Sequence, residues 1–219
     1  MSKVKAHIRY RLEDGAIVPG VTTITGSQLG WNKQILINWG NRIGLEGISA
    51  SAYKDDKADI GKLGHAMVTD WLLKQETDTS DYSKNQIDQA ENAALSFHEW
   101  AKGKNIEPVL IEKPLVSEKH GFGGTADIYA IVDGAIELID LKTGSGIYEE
   151  MLVQAGGGYR QLLIENKYKV ERVRILNIPR SEDERFIDQV ISKKQCEIAW
   201  EVFLNCLANY QLRKKLNGR

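Results

Sequence analysis

Two aspartates and a lysine flank a predicted tight turn in this sequence. Asp127 precedes the Asp133-Gly134 step, whereas Asp140 and Lys142 follow it. An Asp-Gly step between two alternating runs is a strong signal for a two-residue hairpin of type I′. In such a hairpin Asp127 lies directly opposite Asp140, and the alternation of a strand puts both aspartates and Lys142 on one face of the sheet.

This arrangement of like charges predicts a metal site. Directly opposed residues on two strands have Cβ atoms about 4.5–5.5 Å apart, and opposed like charges destabilise a sheet. A divalent cation would compensate the repulsion, and clustered carboxylate oxygens favour Mg²⁺ or Mn²⁺. The ammonium group of Lys142 could orient or polarise a water near that metal. The simpler interpretation is that Asp140 and Lys142 form a solvated charge pair at a strand end.

The second half of the chain predicts the sheet that must hold these side chains. Pro114 falls near the end of the first strand pattern, which suits an edge strand. A glycine-rich stretch follows Lys142 and separates the hairpin from a helix. The predicted strands cover 109–116, 125–132, 135–142 and 170–178, and the predicted helices cover 148–165 and 183–212.

Helical patterns dominate the chain before that sheet. A short hairpin is expected around residues 13–15, and a polar segment over 41–57 predicts a loop. An apolar stripe over 60–72 predicts a helix that would hold His65. Ser83 and Gln86 form a capping-box pattern that begins another helix, which Gly103 ends. A first helix is indicated by apolar residues at helical spacing: Trp31, Ile35, Trp39 and Ile43.

Composition limits the classes of protein that this chain can represent. The length of 219 residues allows one large domain or at most two small ones, and the order of the helical and strand patterns favours one α/β domain. The composition, 42% hydrophobic and 27% charged, excludes a wholly disordered chain, and the formal net charge is -1. A polyanion partner would therefore need a local basic groove. No transmembrane run or secretory signal is expected. Cys196 and Cys206 are expected to be buried in a reducing compartment, and His7, His98 and His120 to lie at the surface.

The motifs around the aspartates resemble the core of the PD-(D/E)XK nuclease superfamily, and particularly its RecB-like exonucleases. The resemblance covers roughly residues 20–180, and the motifs occur in the family's order. It rests on Gly124-Thr125-Ala126-Asp127, Ile139-Asp140-Leu141-Lys142-Thr143-Gly144, Gly61-Lys62-Leu63-Gly64-His65, and Gln154 with Tyr159. Val21-Thr22-Thr23-Ile24, followed by Trp39, is similar to the N-terminal segment of phage nucleases and of the mitochondrial genome-maintenance exonuclease.

The resemblance implies a restriction-endonuclease-like α/β fold, with a central mixed sheet flanked by helices and a helical N-terminal segment. It implies a single nuclease domain over 1–219. The helical part with the Gly-x-x-x-His motif would cover about 20–105, the catalytic sheet and helix about 106–180, and the C-terminal helix about 183–219.

The implied activity is that of a Mg²⁺- or Mn²⁺-dependent DNA exonuclease whose products carry a 5′-phosphate and a 3′-hydroxyl. The expected substrate is linear single-stranded DNA, in recombination, repair or replication. A monomer in the cytoplasm of a bacterial or phage-infected cell is favoured. The implied catalytic residues are Asp127, Asp140, Lys142, Gln154 and Tyr159. The implied metal ligands are Asp127, Asp140 and the Leu141 carbonyl, with His65 or Glu112. The expected DNA contacts are Trp31, Lys33, Arg42 and Arg160.

One departure from the family pattern concerns the Gln and Tyr motif. Family members usually space these residues four apart, whereas Gln154 and Tyr159 are five apart with three glycines between them. A π-bulge, which glycines tolerate, could absorb the extra residue. Otherwise one of the two side chains does not reach the site.

Alternatives remain for the single residues and for the function. His65 could be a histidine at the edge of the core, and Glu112 an exposed edge-strand charge. Tyr159 could be a core aromatic and Gln154 a solvent-facing residue, and a tryptophan at helical spacing, such as Trp31, is more often core than a base-stacking platform. An endonuclease of the resolvase or restriction type, or a catalytically silent DNA-binding module, would use the same fold.

Overall fold

A five-stranded mixed sheet flanked by helices forms the centre of the computed structural model, which describes residues 8–218. The predicted α/β architecture, a central mixed sheet flanked by helices with a helical N-terminal part, is confirmed. In chain order the elements are β1 (Tyr10–Arg11), β2 (Ile17–Val18), α1 (Val21–Gln28), α2 (Lys33–Leu45), α3 (Ala50–Leu73), α4 (Lys84–Ala101), β3 (Ile106–Ser117), β4 (Phe122–Val132), β5 (Ala135–Lys142), α5 (Glu149–Leu152), a π-helix (Val153–Tyr159), α6 (Arg160–Glu165), β6 (Arg172–Asn177), β7 (Ile187–Ile191) and α7 (Lys193–Leu216).

The strands of the central sheet follow the chain order, β3-β4-β5-β6-β7. Only β5 and β6 are parallel, because the helical segment between them crosses one face of the sheet. The turn between β4 and β5 has positive φ at both central residues, 49° at Asp133 and 84° at Gly134, as a type I′ turn requires. The predicted register is confirmed from Val132↔Ala135 to Ile128↔Ile139.

Two apolar cores lie on opposite faces of the sheet. On one face, Ile128, Ile139 and Leu141 pack with residues of α3 and α4, including Val68 and Phe97. On the other face, α1, the π-helix and α7 cover a core that includes Val21, Tyr129, Leu138, Tyr159 and Phe203. The sheet thus holds the hairpin between two helical layers.

The loop predicted over residues 41–57 is wrong. Helix α2 continues to Leu45, and α3 already begins at Ala50. Ser49 caps α3 by accepting a hydrogen bond from the backbone N–H of Ala52, and Gly47 adopts a φ of 75° in the short turn. The polar residues of this segment are the exposed faces of two helices, which a window of low hydropathy does not distinguish from a loop.

The predicted C-terminal helix begins too early. Residues 187–191 form β7, an edge strand antiparallel to β6, and α7 starts only at Lys193. Ser192 and Gln195 form a capping box at that point, the same signal that correctly marked the start of α4 at Ser83. The spacing of the apolar residues in β7 also fits a helix, so hydrophobic periodicity does not separate this strand from α7. The capping box at Ser192 does separate them.

Smaller predictions have mixed outcomes. The N-terminal hairpin is present as β1 and β2, and both cysteines are buried and free. His98 is not a surface residue, since its ring lies 4.6 Å from that of Trp71 and burial lowers its pKa. His120 lies 3.4 Å from Glu165 and packs on Trp200, and His7 is outside the described residues.

Within residues 8–218, every helix is too short or too polar to cross a membrane.

Candidate active site

Strands β4 and β5 separate at the first aspartate of the predicted pair. Their last paired residues are Ile128 and Ile139, so Asp127 and Asp140 do not continue the ladder. Instead, one carboxylate oxygen of Asp127 accepts a hydrogen bond of 2.8 Å from the backbone N–H of Leu141. The other oxygen lies 3.7 Å from Nδ1 of His65 on α3.

These contacts keep Asp127 ionised. Burial would raise the pKa of Asp127, but His65, Lys142 and the Leu141 N–H together outweigh it and lower that pKa below its ordinary value. The structure therefore gives His65 a direct contact with a carboxylate, which a histidine at the edge of the core would not make.

Strand β3, which pairs with the other edge of β4, is also irregular next to Asp127. The pairs Ile111↔Ile128 and Lys113↔Ala126 place Glu112 in register with Asp127, and Glu112 has a φ of 44°. Left-handed backbone is costly for a non-glycine residue inside a strand and often accompanies functional sites. The face alternation of β4 breaks at the same level, because Ala126 and Ile128 belong to opposite cores.

Asp140 and Lys142 form a buried ion pair. The side chain of Asp140 is 2% exposed and that of Lys142 is 20% exposed, and Nζ of Lys142 lies 2.6 Å from Oδ2 of Asp140. No aligned hydrogen bond reaches this buried oxygen from the described residues. Because the pair is enclosed, it differs from the solvated pair that the sequence left open.

The protonation states of this pair follow from burial and from neighbouring charges. Burial raises the pKa of Asp140 to about 6, Lys142 opposes that rise, and Asp127 adds to it. Burial alone would lower the pKa of Lys142, but the two aspartates outweigh it and raise that pKa. Lys142 is thus a cation, whereas Asp140 holds its negative charge at a cost in free energy.

The helix after β5 contains the π-turn that the residue spacing suggested. Residues 153–159 form a π-helix, which includes both Gln154 and Tyr159. Burial raises the pKa of Tyr159 well above its ordinary value, and the charges of Asp140 and Asp127 add to the rise. The Gln154 amide instead donates a 3.1 Å hydrogen bond to Oγ1 of Thr25 on α1.

Glycines allow the helices to approach the hairpin. A Cβ atom at Gly61 would lie 2.6 Å from Oγ1 of Thr143, directly after β5, so α3 passes this loop closely just before His65. A Cβ atom at Gly124 would lie 2.8 Å from Leu162 and 3.0 Å from Tyr159. Gly61 and Gly124 are therefore required by close packing around the hairpin.

The donor set fits a divalent cation that shares its shell with a substrate. Among the described residues, no group of three or more His, Cys, Asp or Glu side chains is arranged to hold a metal. However, Asp127 and Asp140 lie where β4 and β5 separate, and Oδ2 of Asp140 has the Lys142 ammonium as its partner. The N–H and C=O of a strand residue point to the same side, so the Leu141 carbonyl, like its N–H, points to the edge of β5 that faces β4. Mg²⁺ typically binds one or two carboxylates plus waters and phosphate oxygens.

Three of the four predicted DNA-contact residues lie on or just before α2, and the fourth, Arg160, begins α6. Trp31 is 49% exposed just before α2, and Lys33 and Arg42 are exposed on that helix. Helix α2 contacts α3 through the rings of Trp39 and Tyr53, 5.9 Å apart, so Trp39 is a packing residue. Arg160 lies near Cys196 on α7, whose thiol pKa it lowers against the opposing effect of burial.

Two residues near the site were not predicted from the sequence. Tyr10 on β1 places its hydroxyl 3.0 Å from Oγ1 of Thr125. A short N-terminal hairpin gives no sequence signal for this long-range contact. Asn177, fully buried at the end of β6, donates hydrogen bonds of 2.8 Å to the carbonyls of Gly144 and Arg185 and so holds the loop that follows Lys142.

Comparison with known proteins gives distant structural similarity only. One solved structure, a provisionally named exonuclease from Eubacterium rectale, aligns with a TM-score of 0.48 and 12% identity, over 73% of this chain and 68% of that chain. Another, of the protein SSO0001, aligns with a TM-score of 0.28 and 14% identity, over 65% of this chain and 73% of that chain. No family model and no curated protein matches the sequence.

Proposed function

We propose that this protein is a Mg²⁺- or Mn²⁺-dependent deoxyribonuclease that degrades DNA from an end. The main support is the enclosed trio of Asp127, Asp140 and Lys142 beside a backbone carbonyl. Two carboxylates lie here beside one ammonium, and His65 is 3.7 Å from one of them. A divalent cation would neutralise the carboxylate charge, which a purely structural charge cluster does not require.

The side chains have separate roles in the proposed hydrolysis of a phosphodiester bond. Asp127, Asp140 and the Leu141 carbonyl would hold the cation, which supplies Lewis-acid activation and charge neutralisation. His65 orients Asp127 through their 3.7 Å contact and, like Glu112, remains a candidate ligand. Lys142 keeps its protons and stabilises the negative charge that develops on the phosphate oxygens.

Tyr159 and Gln154 would act differently from each other. Since the pKa of Tyr159 is raised well above its ordinary value, its hydroxyl stays protonated and acts only as a neutral hydrogen-bond donor near the phosphate. Gln154 would support the site by joining the π-helix to α1 through Thr25. A direct catalytic role for Gln154 requires that its amide leave Thr25.

The preference for linear single-stranded DNA rests on the first helices. Trp31, Lys33 and Arg42 offer a stacking surface and cations, and the ammonium of Lys57 lies 5.5 Å from the centre of the Tyr53 ring. Arg160 would contact a phosphate farther from the cleavage point.

We place the enzyme, as a monomer, in DNA recombination, repair or replication in a bacterial or phage-infected cell.

Digestion of end-labelled linear DNA, single- and double-stranded, with Mg²⁺ tests this proposal. The wild type should release short products, and Asp127→Asn and Asp140→Asn should each lower the rate by several orders of magnitude. Asp88→Asn, on the exposed surface of α4, is the matched control and should cleave normally. Full activity in either site variant would refute the site assignment, whereas DNA binding without cleavage by the wild type would indicate a silent DNA-binding module.

A further inference from the structure

The N-terminal hairpin is attached to the strand that carries Asp127. Gly20, just after β2, forms an isolated bridge with Gly123 on β4, and the Gly123 N–H donates a 2.9 Å hydrogen bond to the Pro19 carbonyl. Within the hairpin, Tyr10 pairs with Val18. The start of β4 therefore fixes the position of β1.

Two glycines form a space for the Tyr10 ring. A Cβ atom at Gly123 would lie 2.4 Å from Cβ and Cγ of Tyr10, and one at Gly20 would lie 3.0 Å from Cε2. No other residue type fits at Gly123 while the ring keeps this position. The orientation of the Tyr10 hydroxyl is thus set by packing rather than by a free surface rotamer.

That hydroxyl lies beside the segment of β4 that carries Asp127. It is 3.0 Å from Oγ1 of Thr125, which precedes Asp127 by two residues. At this level β4 and β5 have already separated, since their last pair is Ile128 with Ile139. The two hydroxyls therefore lie on the part of β4 that leads into the candidate site.

The hydrogen-bond count of the two hydroxyls indicates what they can bind. Tyr10 and Thr125 each have one O–H hydrogen. The contact between them uses one, so the pair keeps one hydrogen to donate outward. A neutral outward donor next to two carboxylates suits an anionic oxygen that arrives with the substrate.

We propose that Tyr10 and Thr125 form one neutral hydrogen-bond donor for a non-bridging oxygen of a DNA phosphate next to the carboxylate pair. This inference rests on the proposed nuclease function. The N-terminal hairpin is then part of the substrate-binding surface, and Tyr10 is a substrate-binding residue. Since the donor is uncharged, it releases no counterion from DNA.

Tyr10→Phe tests this role because it keeps the ring in its glycine-lined space and removes only the hydroxyl. A hydrogen bond to a charged group contributes enough to change affinity about 10- to 100-fold. We therefore expect KM, and the Kd for DNA measured in Ca²⁺, to rise about 10-fold or more. The kcat and the slope of log Kd against log salt should stay unchanged. Thr125→Val should have a similar effect, and the double variant should lose no more than either single variant.

Tyr210→Phe, on α7, is the matched control for loss of a tyrosine hydroxyl, and melting temperature checks the fold of each variant. An unchanged Kd in Tyr10→Phe, a fall in kcat alone, or additive losses in the double variant would each overturn this inference while wild-type cleavage persists. Absence of cleavage by the wild type would instead refute the proposed nuclease function.

Discussion

Asp140 is the more deeply buried of the two carboxylates, with its side chain 2% exposed against 18% for Asp127. Its charge is maintained by Lys142, although burial and Asp127 both oppose ionisation. The metal-free site therefore holds a carboxylate at a free-energy cost. Such a cost is expected at a functional site where a bound ligand would neutralise the carboxylate charge.

The raised pKa of Asp140 predicts how stability depends on pH in the absence of metal. Its folded pKa of about 6 exceeds the ordinary value of 3.8. The folded state therefore binds the proton more tightly, and stability falls as pH rises from about 4 through 6. The pKa difference corresponds to about 3 kcal/mol. Relative to the wild type, Asp140→Asn should thus gain unfolding free energy between pH 4 and pH 7, measured by urea denaturation in EDTA.

Asp88→Asn is the control for this measurement because Asp88 is exposed, and its stability difference from the wild type should not vary with pH. A difference between Asp140→Asn and the wild type that stays constant or falls from pH 4 to pH 7 would contradict the assigned ionisation of Asp140.

Among the elements, the π-helix depends on close packing against α7. A Cβ atom at Gly157 would lie 2.6 Å from the Ala199 carbonyl oxygen, and one at Gly158 would lie 2.7 Å from Val21. The Gly157 contact is with backbone atoms of α7 and cannot relax by a rotamer change. The three glycines therefore allow both the wide turn and the close approach of α7.

Gly157→Ala should destabilise the protein by about 1–3 kcal/mol, because the added methyl group overpacks this contact. Gly26→Ala in α1 is the matched control, since a Cβ atom at Gly26 would meet none of the described atoms within 4 Å. That control should gain about 1 kcal/mol from helix propensity. Chemical denaturation of both variants measures the difference, and equal effects would show that the α7 contact is looser than the structure gives.

The sequence predicted elements wherever a local signal was sufficient. The Asp133-Gly134 turn gave the register of β4 and β5, and the Ser83 capping box gave the start of α4. The stripe of Ile187, Val190 and Ile191 was assigned to a helix because five residues fit either period. Pairing with β6 made those residues a strand, and that information is not local.

The candidate site was likewise predictable only where its residues are close in sequence. The three central residues share one hairpin, so their proximity follows from register. Tyr10 lies 115 residues from Thr125 in sequence, and no pattern links them. The left-handed backbone of Glu112 was also unpredictable, because only glycine and asparagine commonly signal that conformation.

A buried charge network at the opposite end of the sheet was likewise missed. Glu137 is fully buried and accepts hydrogen bonds from Arg172 and Arg174, and Arg174 also contacts Asp188. No local pattern in the sequence links these four charges. Together they join β5, β6 and β7, and the network explains why charged residues occur at inward positions of these strands.

At the scale of the whole molecule, the proposed function requires DNA to bind despite a formal net charge of -1. In that proposal the exposed cations and aromatic groups on and beside α2 supply the local surface. If this helical segment leads a strand end to the carboxylates, it should exclude DNA without an end. Linear single-stranded DNA should therefore be degraded at least tenfold faster than a covalently closed circle of the same sequence, measured with Mg²⁺ in a time course.

A bulky block on both ends of the linear strand should protect it, and a block on one end should identify the polarity. Similar rates on circles and on doubly blocked strands would shift the assignment to an endonuclease of the resolvase or restriction type, and Trp31 would then have a packing role.

The irregular course of β3 also affects how copies of the protein meet at high concentration. β3 is one edge of the sheet, and a flat edge can pair with a strand of another chain. Pro108 and Pro114 each lack an N–H donor, and a register shift follows Pro108. With the left-handed turn of the backbone at Glu112, this edge is interrupted at three points within twelve residues. The distortion that brings a carboxylate level with Asp127 therefore also protects the protein against edge-to-edge aggregation.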